Sequence, residues 1–215
     1  MIRGQNVMDN LKRELEALQE TFQNTKDFVD IQTPEALEFG IIYHTMDPSS
    51  YEYQSIPFII MPRYSQCLDT FVNNTARIVD ESSFILLGAK LLGILEQIHN
   101  AGYVYNDLKP NNIMIDLIEG NLDQTFLDNY SVKLIDFGFV TRWREEFSSS
   151  HVQPGERPMF QGNIVFSSVD QLNFKVTSRR DDLISLYYLL VFFLNGFRLD
   201  GIDPCSREPV EIQIK

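Results

Sequence analysis

The fold of this 215-residue chain is decided by the stretch Tyr105-Asn-Asp-Leu-Lys-Pro-Asn-Asn112 and by Asp136-Phe137-Gly138, which begins 24 residues after Asn112. The two motifs contain carboxylates, a side-chain amide and a lysine. In phosphoryl transfer, one carboxylate orients the attacking hydroxyl, a second carboxylate and an amide oxygen hold magnesium, and a cation lies near the transferring phosphoryl. The candidates for these roles, in the same order, are Asp107, Asp136, Asn112 and Lys109.

Each motif alone has a simpler interpretation. Asn-Asp and Pro-Asn-Asn are common in turns, and Asp-Phe-Gly can end a strand. Here, however, a helix of period 3.6 precedes the first motif, and two short β-type runs lie between the motifs. The combination favours the catalytic interpretation over the turn interpretation.

The rest of the chain predicts a mixture of helices and short strands. Residues 8–27 lack Gly and Pro and place Leu11, Leu15, Leu18 and Phe22 at helical steps. The twelve apolar residues from Leu183 to Leu194 are too few for a membrane span, which needs about 20, and we expect a helix buried on all sides. The predicted helices are 8–27, 80–100 and 182–195, and the predicted strands are 39–44, 55–64, 103–105, 112–116 and 131–136.

Composition narrows the class of protein. The chain is 44% hydrophobic and 12% aromatic, which predicts a folded globular protein. Its net charge of -12 is unfavourable for binding a phosphate backbone, so we expect no nucleic-acid partner, and we expect no membrane partner either. The two cysteines, Cys67 and Cys205, indicate a reducing compartment, so we expect an intracellular protein of the cytoplasm or nucleus.

The motifs resemble those of the eukaryotic protein kinases, whose catalytic loop reads His-Arg-Asp-Leu-Lys-x-x-x-Asn and whose magnesium loop reads Asp-Phe-Gly. Residues 151–172 and 178–196 are similar to the casein kinase I family, with its Gly-Thr-x-x-Tyr-x-Ser segment and its Arg-Arg-Asp-Asp-Leu helix start. The resemblance covers about residues 10–197. It implies a serine/threonine protein kinase that uses ATP and magnesium and acts on a protein substrate, with an acidic or pre-phosphorylated context.

The resemblance also implies roles for particular residues. Asp107 and Lys109 would be catalytic, and Asn112 and Asp136 would hold the magnesium of the nucleotide. Met61 would lie at the back of the nucleotide pocket, and Pro62–Tyr64 would form the hinge, with the Pro62 carbonyl and the Tyr64 amide on the adenine edge. The further nucleotide-binding residue is Met114.

Other residues would have structural or regulatory roles. Glu14 resembles the glutamate of the family's αC helix, although Glu16 and Glu20 are rival choices. Phe137 and Gly138 complete the magnesium loop, and Asp182 would accept hydrogen bonds from the backbone of the catalytic loop. Either Arg179 and Arg180 bind an anionic substrate group, or they balance the neighbouring acids.

The implied fold is α+β and protein-kinase-like. It has a partial N-terminal lobe and hinge over about residues 8–64, made of one helix and a β-hairpin. A mainly helical C-terminal lobe follows at 65–197, ending after its long helix, and 198–215 form a tail. Residues 1–9 contain no Gly-x-Gly and no Ala-x-Lys, so we expect the family's first three strands, and its last helices, to be missing.

The sequence departs from the family pattern in the catalytic loop as well. Tyr105 and Asn106 replace the usual His and Arg, and Asn163 replaces a Thr that in the family bonds the catalytic Asp and Lys. Two hypotheses follow: a serine/threonine kinase that is weak or inactive as this chain, or a pseudokinase that binds partners without catalysis. A small-molecule kinase is a weaker third, because such enzymes usually carry His where Lys109 stands.

Overall fold

The computed structural model describes residues 2–25, 36–45, 53–74, 81–117, 130–145 and 150–196. Helix α1 spans Ile2–Thr25 and buries Leu15, Ala17 and Leu18. It therefore begins six residues before the predicted start at residue 8. The apolar period starts only at Leu11, so the first turns of the helix carry no sequence signal.

A two-stranded sheet follows α1. Strands β1 (Glu38–Thr45) and β2 (Tyr53–Ile60) pair antiparallel, with Phe39 opposite Ile59 and Ile42 opposite Ile56. This is the predicted hairpin, although β2 ends at Ile60 and not at residue 64. Helix α1 contacts β2, yet several large apolar side chains of the sheet are exposed, among them Phe39, Ile42 and Tyr43.

The main hydrophobic core lies between helices α3 (Glu81–Asn100) and α5 (Arg179–Leu194). The two helices approach closely at Gly88, where an added Cβ would be 3.2 Å from the Leu190 side chain. The apolar residues at helical spacing on α3 are all buried: Leu87, Leu91, Ile94, Leu95 and Ile98.

Two predictions about helix α5 are wrong, those of its start and of its complete burial. It begins at Arg179, three residues before the predicted start at 182, because Ser178 and Asp181 form a capping box across its first turn. It is also not buried on all sides, since Tyr187 is 62% and Leu194 is 59% exposed. Only one face of α5 packs against described residues of the core.

Short elements complete the part of the chain that the structure describes. Strands β3 (Gln66–Cys67), β5 (Ile113–Leu117) and β6 (Tyr130–Leu134) form one sheet in the order β3-β5-β6, and β4 (Tyr103–Val104) pairs with β7 (Thr141–Arg142). Helix α2 is Leu68–Asn74, a 3-10 turn is Pro110–Asn112, and α4 is Val169–Leu172. The sequence predicts β4, β5 and β6, but it carries no periodic signal for α2, β3, β7 and α4, which have two to seven residues each.

These elements position the two sequence motifs. The first motif lies between β4 and β5, and the second lies between β6 and β7. Because β4 pairs with β7 and β5 pairs with β6, both motifs connect the same two sheets. Within the described residues, no helix combines the length and the apolar content needed to cross a bilayer. The predicted tail, 198–215, lies outside the described residues.

Candidate active site

Asp107 is fully buried at the centre of the site. Its Oδ2 accepts hydrogen bonds from Lys109 Nζ at 2.7 Å and from Asn112 Nδ2 at 2.8 Å. Its Oδ1 is buried and has no hydrogen-bond partner in the described structure. Burial raises the pKa of Asp107, while the Lys109 ammonium and the Asn112 amide act in the opposite direction. One oxygen of this carboxylate is thus fixed, and the other is left to accept a proton.

Asn112 and Asp136 could hold a magnesium ion. The Ile135 amide donates to the Asn112 carbonyl at 3.0 Å, which brings the two motifs together. Because the amide nitrogen of Asn112 faces Asp107, its amide oxygen remains as the metal-binding atom. Asp136 is exposed and adopts a positive φ of 63°. An exposed carboxylate and an amide oxygen suit Mg²⁺, which keeps several waters and is bound mainly by carboxylate and phosphate oxygens.

Gly138 leaves space beside these oxygens. An added Cβ at this position would be 3.2 Å from Asp136 Oδ1, whose hydrogen bond from the Gly138 amide is 3.3 Å long. A side chain at residue 138 would therefore crowd the Asp136 carboxylate, the proposed magnesium ligand.

Glu14 reaches the second motif from α1. Its Oε1 accepts a hydrogen bond from the Phe137 amide at 3.3 Å. The pKa of Glu14 is raised, first by burial and then by the nearby charge of Asp136. Of the two rivals, Glu20 pairs with Arg142 at 3.0 Å, and Glu16 lines a surface groove together with Arg142. Glu14 is therefore the α1 glutamate that the structure places at the magnesium loop.

Tyr105, which stands where the family has His, joins the two motifs. Its hydroxyl donates to the Ile135 carbonyl at 2.5 Å, and its ring meets the Phe137 ring edge-on at 5.5 Å. The side chain is completely buried. A phenol is longer than an imidazole, so Tyr105 spans from the catalytic loop to the residue before Asp136.

Asp182, at the start of α5, organises the backbone of the catalytic loop. Its Oδ2 accepts from the Tyr105 amide at 2.7 Å and lies 2.8 Å from His99 Nε2, and its Oδ1 accepts from the Asn106 amide at 2.8 Å. The carboxylate is buried at a helix N-terminus, where the helix dipole favours a negative charge. The backbone contacts are those that the resemblance implied, whereas the sequence carried no signal that His99 joins them.

Arg179 and Arg180 do not meet in one anion site. The Arg179 guanidinium lies 3.9 Å from the centroid of the Trp143 ring, and the Trp143 indole donates to the His99 carbonyl at 2.7 Å. Arg180 forms an ion pair with Asp170, as Lys175 does. For Arg180 the structure therefore favours the alternative in which the charge balances neighbouring acids.

The expected nucleotide pocket lies at the hinge. Met61 packs against the core, Pro62 is exposed, and Lys133 Nζ lies 5.9 Å from the Tyr64 ring. Met114 on β5 is opposite Lys133 on β6. No described contact tests adenine binding by Met61, Pro62, Tyr64 or Met114, so these roles remain predictions.

Asn163 does not reproduce the family's threonine contact. Its Oδ1 accepts from the amides of Val165 at 2.9 Å and Phe166 at 3.3 Å. The side chain therefore stabilises its own turn, which is a common use of Asn.

The sequence model of the protein kinase domain matches residues 41–197. The chain therefore belongs to the protein kinase domain family. Glu14 precedes the matched range, so its assignment depends on its contact with Phe137. ATP and magnesium are used generally by this family.

Among curated proteins, the chain is similar to kinases of the casein kinase I type. A casein kinase 1-like protein of Oryza sativa subsp. japonica is 30% identical over 165 residues, which are 72% of this chain and 22% of that protein. A probable casein kinase I homologue of Encephalitozoon cuniculi is 28% identical over 152 residues, 71% of this chain and 44% of that protein. The B1 kinase of vaccinia virus is 28% identical over 141 residues, 65% of this chain and 43% of that protein.

These relatives confirm the assignment to protein kinases of the casein kinase I type and, with it, the α+β kinase-like fold. The chain spans less than half the length of each of them.

Proposed function

We propose that this protein transfers the γ-phosphoryl group of ATP to serine or threonine hydroxyls of a protein substrate. Asp107 orients the hydroxyl and accepts its proton, and Lys109 lies near the transferring phosphoryl. Asn112 and Asp136 hold the magnesium ion of the nucleotide. The observation that carries the proposal is the buried, unpartnered Oδ1 of Asp107, since a base needs one free acceptor on a fixed carboxylate.

We propose that the 215-residue chain itself binds Mg-ATP weakly and turns over slowly. Residues 1–9 contain neither a Gly-x-Gly phosphate cradle nor an Ala-x-Lys strand. Phosphoryl transfer depends on positioning and electrostatic stabilisation, so a chain without these groups loses a large part of both. Substrates in an acidic or pre-phosphorylated context, and a cytoplasmic or nuclear location, belong to the same proposal.

A second candidate is a pseudokinase that binds a partner without catalysis. The replacement of the usual His and Arg of the catalytic loop by Tyr105 and Asn106 favours it. Against it stands the retention of four side chains, Asp107, Lys109, Asn112 and Asp136, whose contacts form one connected site.

Nucleotide binding separates the two candidates. Saturating Mg-ATP is expected to raise the melting temperature, because a ligand present at a hundredfold excess over its Kd stabilises the folded state by about 2.7 kcal/mol. Asp136→Asn should abolish the shift, because it removes a magnesium ligand. Asp170→Asn is the matched control, since Asp170 pairs with Lys175 and Arg180 away from the site. A folded chain that shows no shift at millimolar Mg-ATP would favour the pseudokinase.

Asp107→Asn tests the catalytic base. An asparagine keeps the shape of the side chain and cannot take the proton, so turnover should fall by about 10²- to 10⁴-fold. The measurement is transfer of labelled phosphate from ATP to a Ser-containing acidic peptide, by this chain and by a longer chain that includes a glycine cradle. Undiminished turnover by a variant that still binds Mg-ATP would contradict the role of Asp107.

A further inference from the structure

Arg157 lies on the segment after β7 and is linked to the catalytic loop through the hydroxyls of Thr141 and Thr177. Its Nη2 donates to Thr177 Oγ1 at 2.6 Å and to Thr141 Oγ1 at 2.9 Å, and its Nη1 donates to Gln161 Oε1 at 2.8 Å. In the part of the chain that the structure describes, no carboxylate oxygen lies within ion-pair distance of this guanidinium. The direct hydrogen-bond partners of this half-buried cation are thus neutral hydroxyl and amide oxygens, and the Asp181 carboxylate stabilises its charge from a greater distance.

The guanidinium fixes the direction of the neighbouring hydrogen bonds. Because an arginine only donates, the Thr177 oxygen accepts from it and sends its own proton to Asn106 Oδ1 at 2.6 Å. The amide of Asn106 is then oriented with its nitrogen towards the Phe139 carbonyl at 2.8 Å and Thr141 Oγ1 at 2.9 Å. Arg157, through the two threonine hydroxyls, and the Phe139 carbonyl therefore hold the Asn106 side chain in the same orientation.

Asn106 in turn precedes Asp107 in a backbone conformation that most residues avoid. Its φ is +68°, in the left-handed region that Asn tolerates better than most side chains. Its amide donates to Asp182, so both its backbone and its side chain are fixed. A change at Asn106 would be transmitted directly to the next residue, the buried Asp107.

The segment that carries Arg157 also contacts the catalytic loop through its backbone. The Gln171 side-chain amide donates to the Asn106 carbonyl at 2.8 Å and to the Gln161 carbonyl at 2.6 Å. Gly162 has a φ of +117°, and an added Cβ there would be 2.3 Å from the Asn106 carbonyl oxygen. Segment 157–162 and the catalytic loop are therefore in direct contact, and Arg157 closes the hydrogen-bonded ring between them.

We propose that Arg157 is a positioning residue for phosphoryl transfer, which through Thr177 and Thr141 holds Asn106, and with it Asp107, in place without a phosphorylated residue. The inference rests on the proposed kinase function. Some kinases have an arginine at the position of Asn106. That arginine binds a phosphate on the activation segment, the stretch after Asp-Phe-Gly, and so orders the segment. In this chain the cation, Arg157, lies on the activation segment itself. Its partners include the hydroxyls of Thr141 and Thr177, which need no phosphorylation.

The experiment compares Arg157→Met with Arg144→Met. The first variant keeps the length of the stem and removes the three hydrogen bonds. The second is the control, because the Arg144 guanidinium contacts Trp143 and the Asn100 carbonyl, away from the catalytic loop. Hydrogen exchange is measured for peptides covering residues 104–108 and, as a reference, for α3. Exchange at 104–108 should rise about tenfold in Arg157→Met with α3 unchanged, and Arg144→Met should match the parent.

Kinetics provide a readout that a general loss of stability would not give. Arg157→Met should lower kcat about tenfold and leave the KM for ATP within about threefold, since nucleotide contacts are retained. Millimolar guanidinium should restore part of the kcat of Arg157→Gly, and Arg157→Lys should fall between the parent and Arg157→Met. Phosphatase treatment of the parent should change neither kcat nor exchange.

Several results would overturn the inference. One is an Arg157→Met protein with parental exchange at 104–108. Another is a phosphatase-treated parent that behaves like the variant. If Arg157→Met does not fold, Thr177→Val replaces it in the test, because it removes only the hydroxyl between Arg157 and Asn106. Unchanged exchange at residues 104–108 in Thr177→Val would also contradict the inference. A parent without turnover counts against the kinase proposal alone, since the exchange measurements test Arg157 independently.

Discussion

The catalytic loop and the β1–β2 hairpin are held in different ways. Every residue from Tyr103 to Leu108 is buried, and two backbone amides of the loop, those of Tyr105 and Asn106, donate to the Asp182 carboxylate of α5. In the hairpin, Phe39 is 58%, Ile42 55% and Tyr43 68% exposed. The catalytic loop is thus buried and held by α5, whereas the hairpin leaves much of its apolar surface exposed in the described chain.

The difference has an energetic consequence. A two-stranded sheet is marginally stable in water unless it packs on further structure, and here the described packing is that of α1 against β2. Substitutions in the catalytic region should therefore be costly, and comparable substitutions in the hairpin should not. The following predictions test that contrast.

The largest effect is expected at Asp182. Asp182→Ala leaves the amides of Tyr105 and Asn106 and the ring of His99 without their buried acceptor, and the loss in free energy of unfolding should be about 3–5 kcal/mol. Urea denaturation measures it. Asp170→Ala, which removes exposed ion pairs only, should cost much less. Similar losses for the two variants would mean that Asp182 does not hold the loop.

A pair of apolar substitutions compares the two regions directly. Leu95 on α3 is completely buried, so Leu95→Ala should cost about 2–5 kcal/mol by leaving a cavity. Ile42→Thr in β1 removes an exposed apolar side chain and keeps β-branching, so its effect should stay within about 0.5 kcal/mol. Denaturant midpoints of the two variants provide the test. A loss of several kcal/mol at Ile42 would show that the hairpin face is buried after all.

The carboxylate of Asp107, which the proposed chemistry requires, should lower the stability of the folded protein at neutral pH. Burial raises its pKa in the folded state above the ordinary value of 3.8, so the folded protein binds this proton more tightly than the unfolded chain does. Its contribution to stability therefore falls as the pH rises through the interval between 3.8 and the raised pKa. Asp107→Asn should melt higher than the parent at neutral pH, and the difference should vanish in acid below that interval. A lower melting temperature at neutral pH would contradict the sign.

The smallest effect is expected from the serines before His151. Changing Ser148, Ser149 and Ser150 to alanine should alter turnover by less than about threefold, or roughly 1 kcal/mol in the barrier, because Asn106 carries no charge that would bind a phosphate there. Ser148 and Ser149 lie outside the described residues. Turnover of the triple variant is compared with that of the phosphatase-treated parent. A hundredfold loss in either would assign a regulatory phosphate to this segment.

Local sequence patterns predicted the long elements and the central chemistry. The period of α3, the β-type runs of the hairpin and the two motifs each depend on residues close together in the chain, so helices, strands and the Asp107 site could be recognised. The full burial expected for α5 was wrong, because composition alone does not show which face meets the core.

Contacts between distant residues could not be predicted in this way. Asn106 meets Thr177 and Gln171, 71 and 65 positions away in the sequence, and no periodicity encodes such pairs. Tyr105 could be identified as a departure from the family, yet its bond to the Ile135 carbonyl depends on the distance between β4 and the end of β6. The hydrogen-bond partners of Tyr105 and Asn106 are therefore known only from the folded structure.

Trp143 gives the protein a built-in optical probe. It is the one tryptophan of the chain, its indole N–H is bonded to the His99 carbonyl, and the Arg179 guanidinium covers its ring. Indole emission depends on the polarity and the charges around the ring, so the fluorescence spectrum of the whole protein is a signal from this one junction. Since His99 also contacts Asp182, a red shift or a change in quenching would report, without any label, the moment at which the support of the catalytic loop is lost.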